Sequence, residues 1–312
     1  MRRLLVALVA LALLAVGHVA RAPRVQAQVG LGPPMIRGAW TPNSDPGLFT
    51  WLRPDLGLPG ASNGSAFATW YDQSPWQLTY SQTVGADQYT YVASDSKFNG
   101  RPSVASSAYA ITMCSQTITQ INLPIVIHMA WYTSSVASTQ YNAMSVQYGT
   151  GTAAGFGQNG GNFFMYSGAV LNSSATISAN TPYYTTVVFN GANSYYYVNG
   201  TANAVISNVN AGSHYIYNYP MCLGANGTSH SVIGHIAEMI AYSGTYATTT
   251  VAIEHVYQYW NALYRTALSL ADEQAPDWRL ALLDLPRAPV RESLVGWPYS
   301  INGNVKRLMV SE

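Results

Sequence analysis

Charge is what this sequence has least of. Its 14 Lys and Arg and 13 Asp and Glu make a charged fraction of 9%, against the roughly 25% usual for soluble domains. From Pro102 to Ala237 there is no Asp, Glu, Lys or Arg at all, only four histidines, His128, His214, His230 and His235, among Ser, Thr, Asn, Gly and Tyr. A stretch this neutral has no basic footprint for nucleic acid. Its Tyr, Val and Ile content can bury a core, which argues against disorder. Long apolar runs are scarce too. The run from Leu4 to Val16 follows Met1-Arg2-Arg3 and leads into small and polar residues ending in Val25-Gln26-Ala27, the pattern of a secretory signal peptide. It falls short of the roughly 20 residues a spanning helix needs. Cleavage is expected after Ala27, because cleavage after Ala22 would leave Pro23 first. The expectation is therefore a secreted or cell-surface protein with no membrane span once the signal, residues 1–27, is removed.

Cysteine is nearly absent as well: Cys114 and Cys222 are the two. Neither lies in a C-x-x-C metal spacing. After export they could pair, closing a loop worth roughly 4–5 kcal/mol by chain entropy, or remain two separate buried thiols.

Residues 28–47 carry Gly, Pro and Asn without periodicity and read as a leader, with the domain starting near Leu48. Beyond it, short alternating runs are separated by turn dipeptides about every ten residues, the signature of an antiparallel sandwich or barrel. Leu123, Ile125, Ile127, Met129 and Trp131 share one face of a strand, and Val126, His128, Ala130 and Tyr132 the other. Tyr183 to Phe189 and Tyr195 to Val198 are strands joined by Asn190-Gly191-Ala192-Asn193, with Asn199-Gly200 turning the chain again. Tyr215, Tyr217 and Tyr219 alternate onto one face, and Ile236 to Tyr242 is a further strand. Then the period changes. Ala252, Val256, Tyr259, Trp260 and Leu263 follow helical spacing, with Thr248 to Thr250 available as N-caps and Glu254 expected in the first turn. Residues 266–312 hold eleven charges and four prolines and read as an extended tail outside the domain.

Four segments carry a resemblance. Trp51-Leu52-Arg53-Pro54-Asp55, Ala68-Thr69-Trp70-Tyr71-Asp72-Gln73-Ser74, Phe98-Asn99-Gly100-Arg101-Pro102 and Gly234-His235-Ile236-Ala237-Glu238, the last followed by a helix ending in Tyr259-Trp260, match the order and spacing of bacterial concanavalin A-like (laminin G-like) modules over residues 48–265. The W-Y-D-Q-S form resembles arabinofuranosidase B catalytic-type modules in particular. The resemblance implies an all-β fold: a two-sheet antiparallel jelly-roll sandwich closed by one C-terminal amphipathic helix. It also implies dealings with glycans. The usual S-G-N-G continuation is replaced by Ser74-Pro75-Trp76-Gln77, so a Gly-rich turn is lost. The central strand that carries the nucleophilic Glu in arabinofuranosidase B modules has no carboxylate here, from Tyr148 through Phe156 to Tyr166.

Retaining glycoside hydrolysis ordinarily needs two carboxyl groups about 5–5.5 Å apart. Before the tail the domain offers Asp45, Asp55, Asp72, Asp87, Asp95, Glu238 and Glu254, no two at a one-strand i, i+2 or i, i+4 spacing. A catalytic pair would have to be sequence-distant, with Asp72 and Glu238 as candidates. Asp72 reads more readily as a turn residue whose side chain accepts backbone N–H groups, and Glu238 as part of the closing-strand pattern. The histidines read as isolated polar-face residues, His230 and His235 at no recognised metal spacing. No G-x-S-x-G elbow is present. No cofactor is implied, and no residue set marks a calcium site.

Aromatics are what the sequence does have: 23 Tyr and 8 Trp. Their faces suit the C–H faces of neutral sugars, and tyrosine hydroxyls can bond sugar OH groups. They also pack well in strands for purely structural reasons. Tyr195, Tyr197, Tyr215, Tyr217 and Tyr219 are the sugar-binding candidates. The leading expectation is a neutral-polysaccharide-binding or adhesion module, the alternatives an arabinofuranosidase-like hydrolase or a sandwich that assembles with itself or with cell-surface proteins.

Overall fold

The computed structural model describes residues 40–118, 121, 123–136, 139–148, 151–202, 204–210, 219–225, 230–264, 300–301 and 304–305. The signal segment, residues 28–39, most of the tail, His214, Tyr215 and Tyr217 lie outside the described residues. Among the described residues sixteen strands build the domain: β1 (Leu48–Leu52), β2 (Thr69–Tyr71), β3 (Thr79–Ser81), β4 (Thr90–Asp95), β5 (Arg101–Ser106), β6 (Met113–Ser115), β7 (Ile125–Thr133), β8 (Tyr141–Tyr148), β9 (Gly151–Asn159), β10 (Asn162–Tyr166), β11 (Val170–Thr176), β12 (Tyr183–Phe189), β13 (Ser194–Val198), β14 (Ala204–Val209), β15 (Met221–Leu223) and β16 (Gly234–Ser243). A one-turn helix, α1 (Pro54–Gly57), follows β1, and α2 (Thr250–Tyr264) follows β16. In the tail, Ser300–Ile301 pairs with Asn304–Val305.

The strands form two antiparallel sheets, making an all-β sandwich with one C-terminal helix. The first runs β14-β13-β12-β7-β16-β5-β4, and the second β11-β10-β9-β8-β15-β6-β3-β2. Strand β16 is long enough to hold two partners on one side, β5 along Gly234–Ile236 and β1 along Met239–Tyr242. On its other side it pairs with β7 throughout.

Period two in β7 is as the sequence implies, but both faces are buried. Ile125, Ile127, Met129 and Trp131 enter the core between the sheets. Val126, Ala130 and Tyr132 enter a second core, shared with Ile253, Val256, Trp260 and Tyr264 of α2. The helix covers the face that would otherwise be wetted, so an all-buried strand results. His128 is therefore no polar-face residue. It is buried beside Tyr242 and Trp260, its Nδ1 2.8 Å from Thr186 Oγ1, and burial pulls its pKa down to about 3, so it is neutral.

Thr249 caps α2, accepting from Ala252 N at 3.2 Å. Glu254, expected in the first turn, sits past it and accepts instead from Thr201 N and Oγ1. That contact ties α2 to the β13–β14 turn, where Gly200 has φ +111° and a Cβ would come within 3.3 Å of the Tyr257 ring. Residues 40–47, read from sequence as leader, are packed: Tyr242 OH donates to Pro42 O, and buried Asp45 meets Tyr246 OH and His255 Nδ1. The folded unit thus reaches back to Trp40, ahead of the expected boundary at Leu48. Aperiodic segments carry no strand or helix signal, so this docking leaves no trace in the sequence pattern.

Cys114 and Cys222 face one another in the β6–β15 register and form a disulfide. Among the described residues no helix is long and apolar enough to cross a membrane.

Candidate functional site

Three of the four segments that carry the resemblance meet at one residue, Trp51. Strand β1 buries it beside β16, opposite Ile240. Its backbone N–H donates to Asp72 Oδ1 at 2.6 Å and its indole Nε1 donates to Glu238 Oε1 at 2.5 Å. Both candidate carboxylates therefore hang on the same tryptophan, one on its main chain and one on its ring.

Asp72 organises the β2–β3 hairpin. Besides Trp51 N it accepts from Ser74 N (2.9 Å), Ser74 Oγ (2.5 Å) and Leu78 N (3.1 Å). Burial raises its pKa, against the pull of these donors. Ser74 Oγ in turn accepts from Trp76 N at 3.2 Å. The lost Gly-rich turn is compensated here: Gln77 takes the left-handed conformation, φ +49°, a cost for a side-chain-bearing residue that the Asp72 contacts on either side hold in place.

Glu238 is sealed under α2, with no exposed surface. Its Oε1 accepts from Trp51 Nε1 and from Tyr259 OH (3.0 Å), and its Oε2 from Trp260 Nε1 (2.8 Å) and Tyr264 OH (2.8 Å). Arg53 Nη1 donates to Tyr259 OH at 2.8 Å, directing that hydroxyl's proton at the carboxylate, while its fork grips Asp55. Burial raises the Glu238 pKa, against the Trp51, Tyr264 and Tyr259 hydrogen bonds and the Arg53 charge. The position depends on a β-bulge. The β16–β7 register shifts between Ile236 and Glu238, so Ile236 and Met239 both face the inter-sheet core while Ala237 and Ile240 join the helix side. One extra residue re-aims the side chain between them, and a carboxylate that strict alternation would aim between the sheets reaches the helix instead.

A third carboxylate cluster has no counterpart in the sequence pattern. Asp95, at the end of β4, accepts from Lys97 N (2.9 Å) and Ser103 Oγ (2.8 Å), and its Oδ2 lies 2.7 Å from His235 Nδ1. The His235 ring stacks on Tyr132 at 4.7 Å and 19°, and its side chain is 22% exposed. Burial pushes the Asp95 carboxyl up, but His235, the Lys97 N–H and Ser103 outweigh it, and the group stands below its ordinary value. Asp95 and His235 are 140 residues apart, and only the strand order β4-β5-β16 brings them together.

Chemically, Asp72 and Glu238 have both oxygens of each carboxyl engaged, so the distant pair from sequence is occupied with holding β1, the hairpin and α2. The Asp95–His235 dyad leaves an imidazole partly open to solvent, and among the described residues no second carboxyl is hydrogen-bonded to it. Among the described residues no group of three His, Cys, Asp or Glu could hold a metal ion.

The aromatic candidates divide. Tyr195 and Tyr197 stack on each other at 5.7 Å and 7°, half-buried against the helix-side core. Tyr219 packs part-buried against the inter-sheet core. Two aromatics outside the sequence-based candidates are more open: Tyr71, 53% exposed, and Trp76, 42% exposed, both in the hairpin that Asp72 fixes. Trp76 keeps one edge on Phe49, at 6.1 Å. Its place in the interrupted Gly-rich turn was the available signal.

No protein-family model matches the chain, and no curated protein is significantly similar to it. Among solved structures it is similar to the binding domain of Paraclostridial Mosquitocidal Protein 1 (TM-score 0.49, 12% identity, covering 70% of this chain and 53% of that one). It is also similar to Trypanosoma rangeli sialidase in complex with the inhibitor DANA (TM-score 0.47, 9% identity, 67% of this chain and 32% of that one). A third is domain 4 of AbnA, a GH43 extracellular arabinanase from Geobacillus stearothermophilus, in complex with arabinotriose (TM-score 0.45, 11% identity, 68% of this chain and 98% of that one). The chain thus spans about a third of the sialidase's length, and identities this low transfer no residue roles.

Proposed function

We propose that this chain is an exported, concanavalin A-like binding module for neutral glycans, and that it binds without catalysing. The observation that carries the reading is the β2–β3 hairpin: Tyr71 and Trp76 are exposed on a loop locked by four hydrogen bonds to Asp72. Rigid, amphipathic rings give contact area at low entropic cost, and a sugar's C–H face can lie on them with no ionised group involved. Apart from buried Asp72, residues 56–86 around these rings hold no Asp, Glu, Lys or Arg, which favours uncharged ligands over phosphorylated or sulfated ones. The hydrolase alternative needs two free carboxyls, and its candidates, Asp72 and Glu238, are fully engaged in hydrogen bonds.

Pull-down on insoluble neutral polysaccharides tests the reading. The wild type is expected to be retained, and Trp76→Ala, with Tyr71→Ala, to elute at least about tenfold more readily, as for loss of an aromatic anchor worth roughly 1.4 kcal/mol or more. No retention at millimolar ligand would refute it.

A further inference from the structure

The helix-covered sheet has a margin that the helix leaves partly open. Ile253, Val256 and Trp260 of α2 share a core with Val126 and Ala130 of β7, Val188 of β12 and Ala237 of β16. Beyond β12 lie β13 and then β14, which ends the sheet. There Tyr195 and Tyr197 stand on the helix side. Val188 lies opposite Tyr195, and Thr186, whose Oγ1 meets His128 Nδ1, lies opposite Tyr197. The two rings are parallel within 7°, centroids 5.7 Å apart, and both are half-buried. On the side away from β12, Tyr197 is opposite Ala204 of β14, an exposed residue too small to cover a ring.

Charge is absent from this margin. Residues 183–210, which contain β12, β13 and β14, hold no Asp, Glu, Lys or Arg. The acidic and imidazole side chains of α2 are both engaged, Glu254 by Thr201 N and Oγ1 and His255 by Asp45. The phenol pair is thus a neutral surface, apolar in its rings and polar at its hydroxyls, of the same chemistry as Tyr71 and Trp76.

Placement separates the two ring surfaces. In β2, Trp70 enters the inter-sheet core, so Tyr71, the next residue, points to the outer side of the second sheet. Tyr195 and Tyr197 point to the outer side of the first. Trp76 packs on Phe49 of β1, and β16, β7 and β12 stand between β1 and β13, a span of roughly 19 Å at the usual strand spacing. A single extended segment of polysaccharide cannot lie on both surfaces, because the body of the sandwich is between them.

We propose that the Tyr195–Tyr197 pair is a second neutral-glycan surface, and that each molecule bridges two polysaccharide segments through opposite faces of its sandwich. The proposal rests on the neutral-glycan reading of the hairpin, but it names different residues and a different outcome, cross-linking, so the two fail separately.

The test joins two measurements on the full chain: calorimetric titration with neutral arabino-, xylo- and gluco-oligosaccharides, and light scattering on mixing with the matching soluble polysaccharides. The expected result is about two oligosaccharide sites per chain, with scattering that rises on mixing and is reversed by excess oligosaccharide. Tyr195→Ala combined with Tyr197→Ala should leave the hairpin site alone and lower cross-linking at least about tenfold; Trp76→Ala should do the same from the other face. Because the tyrosines pack partly on the helix-side core, Ala204→Glu serves as a second variant: it adds bulk and charge beside Tyr197 without removing a ring, and should lower cross-linking likewise. A single site per chain, lost in Trp76→Ala and kept in both β13–β14 variants, would overturn the second surface and leave the hairpin reading standing. Scattering by the protein alone, unaffected by oligosaccharide, would overturn bridging in favour of self-association. No heat and no scattering with any of these sugars would overturn both readings.

Discussion

The helix-covered face of the first sheet and the open hairpin of the second use their polar groups in opposite ways. Under α2, Glu238 is enclosed by two indoles and two phenols with Arg53 behind them, and nothing of it reaches water. In the hairpin, Asp72 is also buried, but its hydrogen bonds hold Trp76 and Tyr71 outward. In both places the carboxylate is scaffold. What differs is what the scaffold presents: a buried helix seam in one, exposed neutral rings in the other. A chain this poor in charge places two of its few acidic groups where they fix strands and leaves its aromatic surface uncharged.

The comparison breaks first if Glu238 is removed. Glu238→Ala should lower unfolding free energy by about 3–5 kcal/mol, since it strands buried donors and leaves Arg53 without the carboxylate it faces through Tyr259, while Trp76→Ala should leave stability nearly unchanged; urea titrations of both variants check this. Loss of the Cys114–Cys222 bond, which spans 108 residues, should cost about 2–5 kcal/mol, read as a fall in urea midpoint for the double Ser variant without loss of glycan retention.

His128 sharpens the contrast through pH. Its folded pKa, about 3, lies below the ordinary 6.5, so the unfolded chain binds the extra proton between those values. Its contribution is present in full above 6.5 and is lost as pH falls towards 3, with a slope approaching ~1.4 kcal/mol per pH unit in that window. His128→Asn should flatten the slope in urea titrations at stepped pH. The smallest effect belongs to the Asp95–His235 pair. Asp95 is held below its ordinary value, so its contribution persists above that value and disappears only as pH drops through the lower folded one. His235→Gln should cost under about 1 kcal/mol at neutral pH, as for other partly solvated pairs, and thermal melts would register it.

Much of this architecture can be read in the sequence, and the losses have physical causes. The alternation of Ile125 to Trp131, the Asn-Gly turns and the helical stripe from Ala252 to Trp260 each report a local period, which survives into the folded chain. Alternation cannot say that α2 will cover the far face of β7, so His128 reads as exposed until the helix is in place. Nor can it count past a bulge, and the bulge before Glu238 reverses that residue's side. Asp95 and His235 meet through a sheet order, with no short-range pattern linking them. Tyr195 and Tyr197 do share a face, as period two requires, but which face is a tertiary fact.

The central claim is that exposed neutral rings bind sugar while the carboxylates only hold the fold. Its most direct test incubates the wild-type chain with insoluble neutral polysaccharides and measures, in one sample, protein retained and reducing ends released. Retention with no release above the blank is the predicted result. Release of reducing ends that disappears in Asp72→Asn or Glu238→Gln, with those variants still folded, would contradict it.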